Sequence, residues 1–252
     1  MRLVLLLVAA LLAALYTRFT TPTLEPNPAF REAQLRFPRV RTAYGLHEAG
    51  TQRLLHQHDL DPTRLELFLR AFKVGRRLEV WGRNQGQGRF VLLRTFRLAA
   101  TSGTLGPKRQ AGDEQMPEGC YTIDRFNPDS QYYLSLGLDY PNAADRIRTG
   151  PSLDPGQDIF IHGSNVTIGC LPITDAGIRE LYVLAAEATA AGQSSIPVHI
   201  FPFELTADNL AHRLASPHLA FWQQLAAGYQ HFEDTHQLPT VQVDDAGAYA
   251  VH

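Results

Sequence analysis

Two residues in this chain could together do nucleophilic chemistry: His162 and Cys170, eight positions apart in Ile161-His162-Gly163-Ser164-Asn165-Val166-Thr167-Ile168-Gly169-Cys170. A thiol is a weak nucleophile near neutral pH until its proton is removed. An imidazole with an ordinary pKa of about 6.5 removes it if the fold brings the ring within hydrogen-bond reach. Gly169 allows a sharp bend, so that the amide of Cys170 and that of a neighbour could face the oxygen of a carbonyl under attack. Ser164, Asn165 and Gly163 form a tight polar loop between base and nucleophile, and a helix beginning near Thr174 would add its dipole in favour of a thiolate. Spacing alone also fits a buried ring beside a buried thiol. Other nucleophile motifs do not fit. A phosphatase loop would need Arg at position 176, which is Ala, and Ser164 is not in a GxSxG elbow because position 162 is His and position 166 is Val.

The elements that must position this pair can be read from the periodicity. Leu65, Leu67 and Leu69 alternate, Leu78 and Val80 alternate again, and Phe90 to Leu98 is a third apolar run. Asn84-Gln85-Gly86-Gln87-Gly88 supplies turn chemistry, so the three form a β-meander. Gly103 to Gly119 is irregular, Cys120 to Ile123 and Tyr132 to Leu136 read as strands, and Tyr140 to Gly156 reads as a loop. Asp158 to Ile161 forms a short buried strand ending at His162. Thr174 caps a helix that runs to about Ala191 and stops at Gly192, with Ile178, Leu181, Tyr182 and Ala185 on one face. Pro197 to Phe203 is the last strand expected. Thr206 to Ala215 is helical, as is Pro217 to about Glu233 with Ser216 as N-cap; upstream, Phe30 to Leu60 carries a short amphipathic helix with Leu46, Leu54, Leu55 and Leu60.

The 252 residues include 23 Lys plus Arg and 25 Asp plus Glu, a net charge of −2, with 44% hydrophobic residues. That is enough apolar material for a core, and it lacks the basic excess of a general nucleic-acid binder. Two cysteines, Cys120 and Cys170, are too few for a disulfide scaffold or a cysteine-rich zinc site. No close His spacing suggests a metal, so no metal or cofactor is expected. Cys120 reads as a packing residue, with a bridge to Cys170 as the lesser alternative. Lys108 and Arg146 could meet substrate carboxylates or be solvated loop charges, and His199 is either a second-layer group behind the site or a core histidine. Tyr132, Tyr133 and Tyr140 read as packing residues more readily than as groove edges. Leu3 to Tyr16 is an uncharged run too short to span a bilayer and followed by a Thr/Pro-rich stretch. It reads as an export signal or uncleaved anchor, the one expected contact with membrane, and places the protein in the periplasm or cell envelope.

The window from Ile161 to Cys170, with Leu171-Pro172-Ile173-Thr174-Asp175 after it, resembles the YkuD-type L,D-transpeptidase catalytic domain, in its YafK-like branch. Leu105-Gly106-Pro107-Lys108, Gly112-Asp113, Pro117-Glu118-Gly119, Asn127-Pro128, Leu134-Ser135-Leu136, Tyr140-Pro141-Asn142-Ala143 with Asp145-Arg146, and Pro197 to Phe203 extend the likeness over about Arg64 to Phe203. The resemblance implies an α+β, β-rich fold with flanking helices. It divides the chain into a signal or anchor with spacer (1–28), an N-terminal helical segment (29–61), a catalytic domain (62–203) and a C-terminal helical extension packed on it (204–252). It also implies an enzyme acting on peptidoglycan stem peptides. Cys170 would attack the carbonyl at the L-centre of the third-position diamino acid and hold a thioester until an amine or water resolves it. His162 would be the base, oriented by a nearby carbonyl, with the Gly169 and Cys170 amides on the oxyanion. Thr167 stands where the wider family has Ser. Gly163 belongs to the same catalytic set, while Lys108, Arg146, Ser164, Asn165 and His199 would face substrate. Hydrolysis releasing protein attached to peptidoglycan belongs to the same branch. The chain departs from the wider family's Ser-His-Gly-Cys and following Arg by reading Thr167-Ile168-Gly169-Cys170 and Pro172, and its His–Cys interval is shorter; these differences bear on donor and acceptor specificity. A non-catalytic peptidoglycan-binding module and a cysteine hydrolase of another amide or ester are the alternatives.

Overall fold

A computed structural model describes residues 25–251, so the expected export signal lies outside the described residues. Among those described, no helix is long and apolar enough to cross a membrane. The N-terminal segment forms two helices, α1 (Pro28–Gln34) and α2 (Pro38–Gln57), where one short helix is predicted. Pro38 causes the break: its ring disfavours helical geometry in the preceding residue, and Phe37 is extended at φ −87°, ψ 129°. The inward face of α2 is Val40, Ala43, Tyr44, Thr51, Leu54 and Leu55, whereas Leu46 is exposed.

The predicted meander is present as β1 (Leu65–Phe72), β2 (Arg77–Asn84) and β3 (Val91–Arg97), paired antiparallel. It joins a single eight-stranded sheet of order β3-β2-β1-β8-β4-β5-β6-β7. The remaining members are β4 (Gly119–Asn127), β5 (Ser135–Leu138), β6 (Phe160–His162), β7 (Leu171–Pro172) and β8 (Ile196–Phe201). The β1–β8 and β6–β7 pairs are parallel. The α+β class read from the sequence holds.

Both faces of the sheet are covered, which is why β1 is buried along nearly its whole length rather than alternating. Leu65, Leu67, Leu69 and Ala71 point to the main core, under the long helix α4 (Thr174–Ala190) and α2. All four residues predicted for the inner face of α4 are buried there, and the Thr174 hydroxyl accepts from the Gly177 amide at 3.3 Å. The alternate residues Phe68 and Phe72 pack beneath helix α6 (Leu219–Thr235), with Phe201, Phe203, Trp222, Tyr229 and Phe232.

Four expectations shift. The 140–156 stretch is not all loop. It contains α3 (Ala143–Thr149), started by a capping box in which the Asn142 side chain accepts from the Asp145 amide and the Asp145 carboxylate from the Asn142 amide. The strand expected from Tyr132 begins only at Ser135, because Tyr133 sits at φ +78° and breaks the extended run. The helices expected from 206 and 217 are α5 (Ala207–Ala211) and α6, each trimmed or shifted by a few residues. Finally, β8 is not the last strand: the tail also carries the antiparallel pair β9 (Val241–Val243) and β10 (Tyr249–Val251).

Candidate active site

Strand alternation gathers the site. Leu134, Leu136, Ile161 and Leu171 face the main core, so their neighbours Ser135, His162 and Cys170 face the other way, onto the sheet surface opposite α4. Register supplies the lateral order. Ser135 pairs with His162 across β5–β6, and Ile161 pairs with Leu171 across β6–β7, which sets Cys170 beside Phe160. His162 and Cys170 line one cavity of about 540 Å³, along with Asn127, Asp129, Tyr132, Ser135, Asp158 and Thr167 among others.

His162 is almost fully buried, and its Nδ1 lies 2.5 Å from the Gly163 carbonyl oxygen. A carbonyl only accepts, so Nδ1 carries the proton and Nε2 keeps a free lone pair, as a general base requires. Burial pushes the imidazole below its ordinary pKa, opposed by this hydrogen bond. The ring is therefore neutral at neutral pH. Tyr132 packs against it at 4.6 Å between centroids and 35° between planes.

The Cys170 sulfur accepts from the Phe160 amide at 3.4 Å and lies 3.6 Å from the Asp158 carbonyl, toward which its S–H points. Its pKa is raised, first by burial and further by the Asp158 charge, while the Phe160 amide and the Lys108 charge pull it down. The resting pair is thus a thiol and a neutral imidazole, and no hydrogen bond joins them among the described residues. Among those residues both Cys170 and Cys120 are free thiols. Cys120 sits in a different cavity with Tyr121, His199 and Tyr249, where burial pushes its pKa up to about 12.

The bend before Cys170 depends on two residues. Gly169 has φ +135°, and a Cβ there would come within 3.2 Å of the Gln115 carbonyl. Thr167 closes the loop, its hydroxyl donating to the Cys170 carbonyl at 2.7 Å and accepting from the Gly169 amide at 3.1 Å. One of the two amides expected to face an oxyanion is therefore committed to Thr167. The Cys170 amide makes no hydrogen bond among the described residues.

On the other side of His162, a Cβ on Gly163 would approach the Asp175 carboxylate oxygen to 2.5 Å and the Tyr132 carbonyl to 2.6 Å. That Asp175 oxygen accepts from the Ser164 amide at 2.8 Å, so the first turn of α4 ties down the loop after His162. Asp175 is a positioning residue that sequence reading passes over, and Tyr132, read from the sequence as a packing residue rather than a groove edge, both packs on His162 and lines the cavity. An acidic residue in a first helical turn looks like a response to the helix dipole, and a tyrosine in a loop gives no sign of what it packs against.

The other sequence-predicted site residues spread out. Lys108 is buried, its ammonium held by Asp113 and by the Gln110 carbonyl at 2.8 Å, so it lies behind the site rather than in the cavity. Ser164 (φ +61°) and Asn165 belong to the loop but do not line the cavity. Arg146 is exposed on α3, in a neighbouring groove with Asp124, Arg125 and Asp139, and Asp158 is common to both. His199 is not behind the site. It lies on β8 beneath α6, edge-on to Phe68 and Phe201, where burial and then the Arg70 charge lower its pKa to about 3.

Residues 73–200 match the family model of YkuD, the L,D-transpeptidase catalytic domain. A protein from Escherichia coli K12, YafK, whose name carries L,D-transpeptidase as a provisional designation, is 37% identical over 187 residues, 73% of each chain. Two solved structures overlap at lower similarity. The helical cell shape determining protein Pgp2 from Campylobacter jejuni has a TM-score of 0.43 and 16% identity, covering 72% of this chain and 73% of its own. Bd1075 from Bdellovibrio bacteriovorus has a TM-score of 0.40 and 15% identity over 70% of this chain and 76% of its own.

Proposed function

The chain belongs to the YkuD family of L,D-transpeptidase catalytic domains, and from that premise we propose that it is a cell-envelope cysteine acyltransferase working on peptidoglycan stem peptides. The observation that carries this reading is one cavity holding the Cys170 sulfur and a His162 whose Nδ1 proton is fixed on a carbonyl. His162 Nε2 takes the thiol proton as the sulfur attacks the carbonyl of the third-position diamino acid. The oxygen gains negative charge facing the Cys170 amide, and the imidazolium returns its proton to the departing amine. The thioester is then resolved by an amine, forming a new cross-link, or by water, freeing the acyl group as a carboxylate; where the departing amine belongs to attached protein, that protein is released as the thioester forms.

The resting thiol is protonated, so His162 has to take its proton before or during attack. A bound peptide that seals the cavity would strengthen this step by excluding solvent. Val166 and Ile168, both more than half exposed at the cavity wall, offer apolar surface for such a peptide. Export through the N-terminal apolar run is part of the same proposal.

The test incubates the purified protein and its Cys170→Ala variant with defined muropeptides and with peptidoglycan carrying attached protein, products read by mass spectrometry. Cross-links or exchanged terminal residues lost in the variant identify transpeptidation; release without exchange identifies hydrolysis. Identical products from both proteins would refute the cysteine reading.

A further inference from the structure

Ser135 stands directly opposite His162 in the β5–β6 pair and lines the same cavity. The residue is 1% exposed, and its hydroxyl has no hydrogen-bond partner among the described residues. The two other Ser and Thr hydroxyls on the cavity wall are engaged within the protein. Ser130 Oγ accepts from the Tyr132 amide at 3.1 Å, and Thr167 Oγ1 bridges Gly169 and Cys170. Buried polar groups are nearly always paired, so an orphan facing a reactive cavity marks a position where folding leaves a bond to be completed.

Facing residues of an antiparallel pair have Cβ atoms about 4.5–5.5 Å apart. The Ser135 side chain therefore lies beside the imidazole on the wall of the same cavity. Cys170 lies on the far side of β6, so the three side chains run across one face in the order Ser135, His162, Cys170. A peptide with its reacting carbonyl at the sulfur and its amide nitrogen near the base extends on toward Ser135.

We propose that Ser135 is a substrate-binding residue whose hydroxyl pairs with a peptide N–H or C=O of the bound acyl donor. This rests on the acyl-transfer reading above and assigns a residue to its donor subsite. The hydroxyl both donates and accepts, so either peptide group completes it. A structural serine and a substrate-binding serine differ in what its removal does. Deleting an unpartnered buried hydroxyl relieves the folded protein, whereas deleting a partnered one destabilises it.

The experiment compares wild type with Ser135→Ala and with the hydroxyl-retaining Ser135→Thr. For Ser135→Ala the melting temperature holds or rises, and the pH profile of Cys170 alkylation by iodoacetamide is unchanged, since the hydroxyl does not act through His162. Its kcat/KM on a defined muropeptide falls about tenfold, the effect of one lost hydrogen bond of about 1.4 kcal/mol. Ser135→Thr recovers part of it. Calorimetric binding of the same muropeptide to Cys170→Ala protein, which cannot react, weakens to the same degree when Ser135→Ala is added. Undiminished binding overturns the proposal whether or not turnover is seen. A lower melting temperature with a shifted alkylation profile also overturns it, by making Ser135 a structural support of His162. Failure of the acyl-transfer reading looks different: the Cys170→Ala control forms the same products as wild type.

Discussion

A cysteine that waits as a thiol reacts differently from one stored as an ion pair with its histidine. In this protein burial raises Cys170 and lowers His162, and both directions favour the uncharged pair. Alkylation by a small reagent follows the thiolate, so its rate on the free protein rises about tenfold per pH unit through neutrality, with a midpoint above the ordinary thiol value. A plateau of reactivity beginning in the acid range would show a stored imidazolium–thiolate pair and contradict this account. The Thr167 hydroxyl belongs to the same scale. It orients the Cys170 carbonyl and in doing so withdraws the Gly169 amide from any anion in the cavity, leaving the Cys170 amide, which has no partner among the described residues, as the uncommitted one of the two.

Helix α2 reaches the site without touching it. Arg39 donates from one nitrogen to the carbonyls of Ser130 and Tyr133, both at 2.7 Å, gripping the loop that lays Tyr132 on the imidazole. Arg39→Ala should lower turnover several-fold while shifting the melting temperature by no more than about 2–4 °C, the effect of about 1 kcal/mol in a domain of this size. Amide exchange at residues 130–135 should quicken selectively; a uniform rise across the protein would mean that Arg39 supports the fold at large. Little of this grip is legible in the sequence. Alternation is legible: Leu134, Leu136, Ile161 and Leu171 are apolar and in phase, so Ser135, His162 and Cys170 fall on one face from period alone. The inner face of α4 is equally plain. What escapes is geometry set by single dihedrals and by contacts distant in the chain, such as the positive φ of Tyr133, the Gly163–Asp175 approach and the Arg39 grip. The capping box of α3 escapes for a smaller reason, since its third residue is Asp145 where Glu or Gln is the usual signal.

Across the whole molecule, one buried junction joins parts remote in sequence. Glu118, in the irregular 103–119 stretch, accepts from the Gly106 amide at 2.7 Å and from Trp222 Nε1 on α6 at 2.8 Å. It pairs with Lys73, at the end of β1, at 2.9 Å. Lys73 also donates to the carbonyls of Thr104 and Gly106 at 3.1 and 2.9 Å. Every charge there has several partners, the condition under which a buried pair is tolerable and its disruption costly. Glu118→Ala should cost about 3–5 kcal/mol of stability in urea titration; a loss under 1 kcal/mol would show that the junction is incidental. The stretch containing Glu118 also presses the Gln115 carbonyl against Gly169, so the junction sits within a few residues of the bend before Cys170.

Trp222 and Tyr229 lie beyond residue 200, where the match to the family model ends, yet they complete the second face of the sheet and the Glu118 junction. The border of the family model and the border of cooperative folding are therefore different lines on this chain. Catalytic segments exchanged between relatives at the former would arrive with one side of the sheet stripped and a carboxylate short of a partner. A working chimera has to carry the far helix along with the active site.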